Sequence, residues 1–125
     1  MRLLLDTHVF IWSVTASRQL KAATRDYLAA AQAVYVSAAS VWEIAIKSRL
    51  GKIDGDAQEF AAAIEASGFH ALPVTAGHAA AVAKLPLHHT DPFDRLLLAQ
   101  AFTEPLRFVT ADRLLSAYGG AVEVL

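Results

Sequence analysis

Acidic side chains occur at four places in the sequence where a reactive site could be built. Asp6 ends a short apolar run, Glu43 lies in a predicted helix, Asp91 and Asp94 begin another, and Asp112 follows a run of β-forming residues. Carboxylates that crowd together repel one another and stay partly protonated unless a cation neutralises them. Mg²⁺ prefers such oxygen ligands, and a nucleic-acid phosphate can complete its shell. The residue types therefore predict metal-assisted hydrolysis, provided that the fold brings the acids together.

The elements that must position these acids alternate between short strands and helices. Strands are predicted at residues 3–5, 34–36, 107–110 and 122–124, with an extended link at 70–74. Helices are predicted over about 18–31, 37–50, 57–66, 76–83, 92–102 and 111–118. Short apolar strands separated by helices are typical of a parallel sheet covered on both faces. The expected fold class is α/β, a three-layer α/β/α sandwich with a short, mostly parallel central sheet.

Several helix boundaries are marked by residues with a physical reason to stand there. Ser37, Asp56, Thr75 and Asp91 can each accept a hydrogen bond from the free N–H groups of a first helical turn. Pro92 suits the first helical position after Asp91. In parallel sheets, sites form outside the carboxyl ends of the strands. The topology can therefore gather the acids at one edge of the sheet.

Composition limits the classes of protein that need to be considered. The 125 residues, 55% hydrophobic and 18% charged, predict a single folded domain over 1–125. A net charge of -1 provides no global attraction for nucleic acid or an anionic membrane, so binding to a polyanion must be local. The absence of cysteine excludes disulfides, thiolate zinc sites and cysteine nucleophiles. No apolar stretch matches a signal peptide or a membrane span, so a cytoplasmic protein without membrane contact is expected.

Four segments of the chain, in order, resemble the PIN-domain ribonucleases, and the likeness is closest to the VapC-type toxins of bacterial type II toxin–antitoxin systems. The segments are Leu4-Leu5-Asp6-Thr7-His8, Val36-Ser37 with Val41-Trp42-Glu43-Ile44, Asp91-Pro92-Phe93-Asp94-Arg95-Leu96-Leu97-Leu98-Ala99-Gln100-Ala101, and Val109-Thr110-Ala111-Asp112. The resemblance implies an endoribonuclease that depends on Mg²⁺ or Mn²⁺. It also implies an RNA substrate, a homodimer and inhibition by a small antitoxin protein that occupies the site.

The resemblance also implies roles for individual residues. Asp6, Glu43, Asp94 and Asp112 match the four acids of the family and are expected to be catalytic and to hold the metal. Thr7, Arg95 and Thr110 lie beside them in sequence and are expected to contact substrate.

Each acid also has a structural explanation. Asp6 and Asp112 could cap the helices that follow them, and Glu43 could be a surface partner of Lys47. Asp91 could be either a metal ligand or only a helix cap.

The aromatic and histidine residues are expected to be structural. His88 and His89 read as a solvated loop, because adjacent side chains diverge and no zinc set is complete around them. Trp12 and Trp42 are expected in the core or at a dimer interface rather than as platforms for bases.

Other functions of an α/β domain fit these residues less well than the nuclease does. Phosphotransfer through Asp6 is disfavoured because His8 stands where haloacid-dehalogenase-like enzymes have a second Asp, and a response-regulator receiver would need an acidic pair that is absent. The remaining alternative is a catalytically silent module of the same fold that binds RNA or protein.

Overall fold

A five-stranded parallel sheet forms the centre of the computed structural model, which describes residues 1–125. The strands are β1 (Arg2–Leu5), β2 (Ala33–Ser37), β3 (His70–Leu72), β4 (Arg107–Thr110) and β5 (Val122–Val124). Their spatial order is β3-β2-β1-β4-β5, and every neighbouring pair is parallel. The chain runs outward from β1 on one side and then resumes at β4 on the other. The carboxyl ends of β1 and β4 therefore border a point where the winding direction changes, where ligands of open α/β sheets bind.

Helices cover both faces of the sheet, which confirms the predicted three-layer α/β/α sandwich. They are α1 (Thr7–Val14), α2 (Ala22–Ala30), α3 (Ala38–Arg49), α4 (Ala57–Ala66), α5 (Ala76–Ala81) and α6 (Pro92–Thr103), with 3₁₀ helices at Val82–Lys84 and Arg113–Tyr118. Alternate residues of β1 face opposite layers. Leu3 and Leu5 pack into one core with residues of α1 and α4, whereas Leu4 packs into a second core with residues of α6. Burial on both faces explains why β1 is continuously apolar.

The predicted helix starts are confirmed by side-chain contacts. Ser37 Oγ accepts the Ala39 N–H at 3.0 Å, and Asp56 Oδ1 accepts the Gln58 N–H at 2.8 Å. Asp91 Oδ1 accepts the Asp94 N–H at 3.0 Å, with Pro92 in the first helical turn. Thr75 forms a reciprocal capping box with His78. These interactions are local, so sequence spacing is enough to predict them.

Three helices differ from the expectation. Helix α1 is not among the predicted elements, because residues 7–14 are apolar on nearly every side and show no helical stripe. Helix α2 begins at Ala22 rather than near residue 18. The last predicted helix is a 3₁₀ helix at Arg113–Tyr118. No helix in the structure combines the length and the apolar character needed to span a bilayer.

Candidate metal centre

Asp6 lies at the carboxyl end of the central strand, and its carboxylate is held by the neighbouring strand. The Asp6 N–H donates to Val109 O at 2.8 Å, and Thr110 Oγ1 donates to Asp6 Oδ2 at 2.5 Å. The side chain is buried, with 7% of the residue exposed. Burial raises the pKa of Asp6, while the Thr110 hydrogen bond and the charge of His8 oppose the rise and the charge of Glu43 adds to it. Asp6 makes no side-chain cap bond to α1, so capping does not explain it.

Glu43 is a buried acid in α3, not the surface residue that its spacing from Lys47 also allowed. Only 3% of it is exposed. Lys47 Nζ donates to Glu43 Oε2 at 2.5 Å, whereas Glu43 Oε1 is buried without any hydrogen-bond partner. The hydrogen bond from Lys47 to Glu43 raises the pKa of Lys47, and the charges of Asp91 and Asp94 add to the rise. A buried carboxylate oxygen without a partner is costly and marks a place where a cation or water belongs.

Asp94 enters the site from the first turn of α6. Its Oδ2 lies 2.9 Å from His89 Nε2. Burial raises the pKa of Asp94 to about 7, the charges of Asp6 and Asp91 contribute to the rise, and His89 opposes it. Asp91 accepts the Asp94 N–H, so the structure shows the helix-cap role that was expected for it as one of two alternatives.

Asp112 comes to the same place from the end of β4. Its Oδ1 accepts the Leu114 N–H at 3.0 Å, so it caps the 3₁₀ helix that follows. Its own N–H donates to Thr110 Oγ1 at 3.1 Å. Ligand atoms of His89, Asp94 and Asp112 all lie within 4.8 Å of one another. Asp112 therefore combines a structural role with a position beside Asp94.

The four predicted acids thus face a common edge of the sheet. The charge of Asp6 acts on Asp94 and that of Glu43 acts on Asp6, while Asp112 and Asp94 share a cluster with His89. Burial and, after it, the charges of Asp6 and Asp91 raise the pKa of Asp94, and Glu43 Oε1 has no hydrogen-bond partner. This donor set fits a hard divalent cation with oxygen ligands.

The three residues expected to contact substrate all make hydrogen bonds within the protein. Thr7 is fully buried and donates to Ser40 Oγ at 2.9 Å, so it joins α1 to α3 and is not accessible to substrate. Thr110 is equally buried, and its hydroxyl is shared between Asp6 and Asp112. Arg95 donates to Pro86 O at 3.0 Å and to Tyr118 Oη at 3.1 Å, among other partners in the loop before α6. Thr110 therefore positions two of the acids, Thr7 joins two helices, and Arg95 holds the loop before α6.

One further correction concerns His89, and the two tryptophans take different places. His89 is part of the acid cluster and not a solvated residue, because the Asp91 cap folds the preceding loop back over Asp94. No local sequence signal identifies it, because its place depends on how the loop folds back toward Asp94. Trp42 is 59% exposed and contacts Phe93 edge to face, with ring centroids 5.1 Å apart, so of its two expected places the core is excluded and the dimer interface stays a prediction. Trp12 packs against a core cluster, as predicted.

A separate cavity elsewhere in the protein does not involve these acids. A cavity of about 340 Å³ lies at the opposite edge of the sheet, next to the first residues of β2 and β3. Its lining includes Arg25, whose guanidinium donates to backbone carbonyls of residues 12, 13 and 17. The candidate centre, at the carboxyl ends of β1 and β4, lies apart from this cavity.

Comparison with known proteins identifies the family. The PIN domain model matches residues 3–121, and the chain belongs to the PIN domain family. No curated protein sequence matches it significantly.

Solved structures share the fold over nearly the whole chain. A chain of VapBC2 from Rickettsia felis, bound to a DNA fragment from the promoter, is similar with a TM-score of 0.73 and 14% identity, covering 100% of this chain and 98% of that chain. A toxin–antitoxin complex from Klebsiella pneumoniae gives a TM-score of 0.69 and 18% identity, covering 98% and 96%. VapC20 from Mycobacterium tuberculosis, described as a toxin that cleaves the sarcin-ricin loop, gives 0.61 and 16%, covering 97% and 98%. At these identities the likeness is one of fold.

Proposed function

We propose that this protein is a divalent-metal-dependent endoribonuclease that hydrolyses RNA phosphodiester bonds and acts as the toxin of a toxin–antitoxin pair. The observation that carries the proposal is the buried, unpartnered Glu43 Oε1 beside three further carboxylates at the carboxyl edge of a PIN-family sheet. A module that only bound RNA or protein would have no electrostatic reason to gather these acids.

Asp6, Glu43, Asp94 and Asp112 are the residues that would hold the cation, Mg²⁺ or Mn²⁺. When bound, the cation supplies an activated water and neutralises the charge that develops on the phosphate. The oxygen-rich donor set agrees with either ion. Asp6 is the best-positioned acid, because Thr110 fixes its carboxylate from the adjacent strand.

The remaining residues of the site orient the acids and receive the phosphate. Thr110 Oγ1 joins the carboxylate of Asp6 to the backbone of Asp112, so one hydroxyl sets the relative positions of two acids. Lys47 holds Glu43 Oε2 and is partly exposed near Asp91 and Asp94. Its ammonium group is therefore placed to meet a phosphate that approaches the acids.

The protein partners follow from two separate features. The acidic edge would be blocked by an antitoxin segment that carries arginine, since a guanidinium pairs with carboxylates in a fixed geometry. A second copy of this chain would cover an exposed apolar stripe on one side of α3, formed by Trp42, Ile46 and Leu50. The toxin–antitoxin complex from Klebsiella pneumoniae among the fold neighbours supports the first partner. The proposed setting is the cytoplasm.

The test is cleavage of a mixed RNA pool by purified protein in Mg²⁺, in Mn²⁺ and in EDTA. Wild type and Asp26→Asn, which changes an exposed acid of α2, should cut with metal only. Asp6→Asn and Asp94→Asn should reduce cutting by at least about a hundredfold while they keep the wild-type circular dichroism spectrum. The same pair of variants should abolish growth arrest when the protein is expressed without a partner.

Cleavage that persists in EDTA would reject the metal-dependent mechanism. Failure of the folded, metal-loaded wild type to cut any class of RNA would instead favour the silent binding module.

A further inference from the structure

His89 is held directly against the candidate metal centre. Its Nε2 lies 2.9 Å from Asp94 Oδ2, and its side chain is largely buried, at 18% exposure. Ligand atoms of His89, Asp94 and Asp112 lie within 4.8 Å of one another, a separation that one ion can bridge. The other histidine of this loop behaves differently. His88 is exposed and its ring packs against Tyr118, with centroids 5.1 Å apart.

The loop that carries His89 is fixed from both sides. Arg95 donates to the carbonyl oxygens of Pro86 and His89 at 3.0 Å and 3.4 Å. It also donates to Tyr118 Oη at 3.1 Å, and that hydroxyl accepts the His88 N–H at 3.2 Å. A side chain whose backbone is held in this way keeps its direction, which is the requirement for a preorganised ligand. The contacts of Arg95 therefore serve to present the imidazole.

We propose that His89 is a direct nitrogen ligand of the metal centre, together with Asp94 and Asp112, and that it biases the centre toward Mn²⁺ over Mg²⁺. The inference rests on the proposed metal-dependent function and adds a ligand to the four acids. An imidazole nitrogen is a good donor to transition metals and a poor one to Mg²⁺, which selects oxygen. An imidazole donor in the centre therefore favours the binding of Mn²⁺ relative to that of Mg²⁺.

The test measures metal binding on purified protein without any substrate. Mn²⁺ binding is followed by electron paramagnetic resonance, and pulsed spectra report whether an imidazole ¹⁴N is bonded to the ion. Wild type should show ¹⁴N modulation. His89→Gln should lose it, and its Mn²⁺ affinity should fall by about tenfold, while Mg²⁺ affinity from competition should fall by less than about threefold.

Two matched variants control for other nitrogen sources. His88→Gln changes the neighbouring residue of the same loop, and His8→Gln removes the histidine whose charge acts on Asp6. Both should keep the ¹⁴N modulation and the preference for Mn²⁺. Circular dichroism should show that all three variants are folded.

The outcomes separate this inference from the proposed function. Mn²⁺ that binds to wild type without ¹⁴N modulation would overturn His89 as a ligand and leave the carboxylate centre standing. Modulation that survives in His89→Gln and disappears in His8→Gln would assign the nitrogen to His8 and also overturn the inference. An absence of any Mn²⁺ binding by the folded wild type would reject the metal centre itself.

Discussion

At the scale of single residues, the hydroxyl of Thr110 has the clearest role. It is fully buried, donates to Asp6 and accepts from the Asp112 N–H. A hydroxyl between a charged acceptor and a backbone donor cannot be replaced by a methyl group without leaving both unpaired. The residue thus links the end of the central strand to the end of its neighbour at the point where two acids are needed.

Thr110→Val should therefore affect both stability and activity. The nearly isosteric change removes a hydrogen bond to a charged group, and we expect it to lower the free energy of unfolding by about 1.5–3 kcal/mol. RNA cleavage should fall by at least about tenfold, because Asp6 loses its orientation. Urea unfolding and cleavage assays measure the two effects. Thr110→Ser should retain most of both, and Thr103→Val, at an exposed position of α6, should change neither. Full activity in Thr110→Val would contradict this role.

The raised pKa of Asp94 makes the stability of the metal-free protein depend on pH. The pKa of Asp94 is about 7 in the folded protein, whereas the ordinary pKa of an aspartate side chain is 3.8. The folded protein therefore binds this proton more tightly than the unfolded chain does. The resulting stabilisation is complete below about pH 4 and is lost as the pH rises through about 7.

In EDTA, we therefore expect wild type to lose stability between about pH 4 and pH 7 relative to Asp94→Asn, which cannot titrate at this position. Urea unfolding across that range measures the difference between the two proteins. Asp26→Asn should follow the wild-type profile, since it changes an exposed acid away from the cluster. Parallel profiles for wild type and Asp94→Asn would show that the Asp94 pKa is not raised by folding.

At the scale of elements, α5 is joined to α6 through a buried histidine. His78 is 1% exposed, its Nδ1 accepts the Thr75 N–H at 3.0 Å, and its Nε2 lies 2.5 Å from Glu104 Oε2. The accepting Nδ1 leaves the proton on Nε2, which therefore donates to Glu104. One ring thus caps the start of α5 and holds the end of α6.

We expect His78→Leu to lower the free energy of unfolding by about 2–4 kcal/mol, because it removes the cap and leaves buried polar groups unpaired. Cleavage per folded molecule should stay within about twofold of wild type, since His78 lies outside the acid cluster. Glu104→Gln keeps an acceptor oxygen opposite the ring, and we expect it to cost less than about 1 kcal/mol. Urea unfolding compares the two. Equal losses in the free energy of unfolding for both variants would show that the charge of Glu104, and not the histidine ring, joins α5 to the end of α6.

Elements were predictable from sequence where local chemistry decides them. The helix caps at Ser37 and Asp56 and the short strands β4 and β5 depend on residues a few positions apart, and the structure confirms them. Helix α1 was not predictable in this way, because it is covered on most sides and shows no polar face. The place of His89 depends on how a loop folds back from Asp91, which residue types alone do not determine.

At the scale of the whole molecule, the order of the strands was not predictable from the pattern of elements, yet it decides the site. Alternating strands and helices fix a parallel sheet, but several strand orders satisfy that rule. The observed order places β4 beside β1 and so brings Thr110 and Asp112 to Asp6. Four short segments that resemble the PIN family were enough to predict which acids form the site. The sheet topology explains why these acids are so far apart in sequence.

The surface of the whole molecule also carries a feature that its fold does not require. Trp42, Ile46 and Leu50 are spaced four residues apart and form one apolar stripe along α3, with Trp42 against Phe93. Exposed apolar residues that form a continuous patch mark association sites more often than scattered ones do. A large aromatic residue at such a site is typical of the residues that dominate binding energy.

If a second copy of this chain covers the stripe, Trp42→Glu should weaken self-association by at least about tenfold, because it places a charge in an apolar interface. Its free energy of unfolding, extrapolated to the monomer, should fall by about 0.5–1.5 kcal/mol, because the edge-to-face contact with Phe93 is lost. Sedimentation equilibrium at several concentrations measures the association. Phe102→Glu changes another exposed apolar residue, on α6, and should leave it unchanged. Equal dissociation constants for wild type and Trp42→Glu would remove the stripe from the dimer interface and leave it to the antitoxin or the RNA.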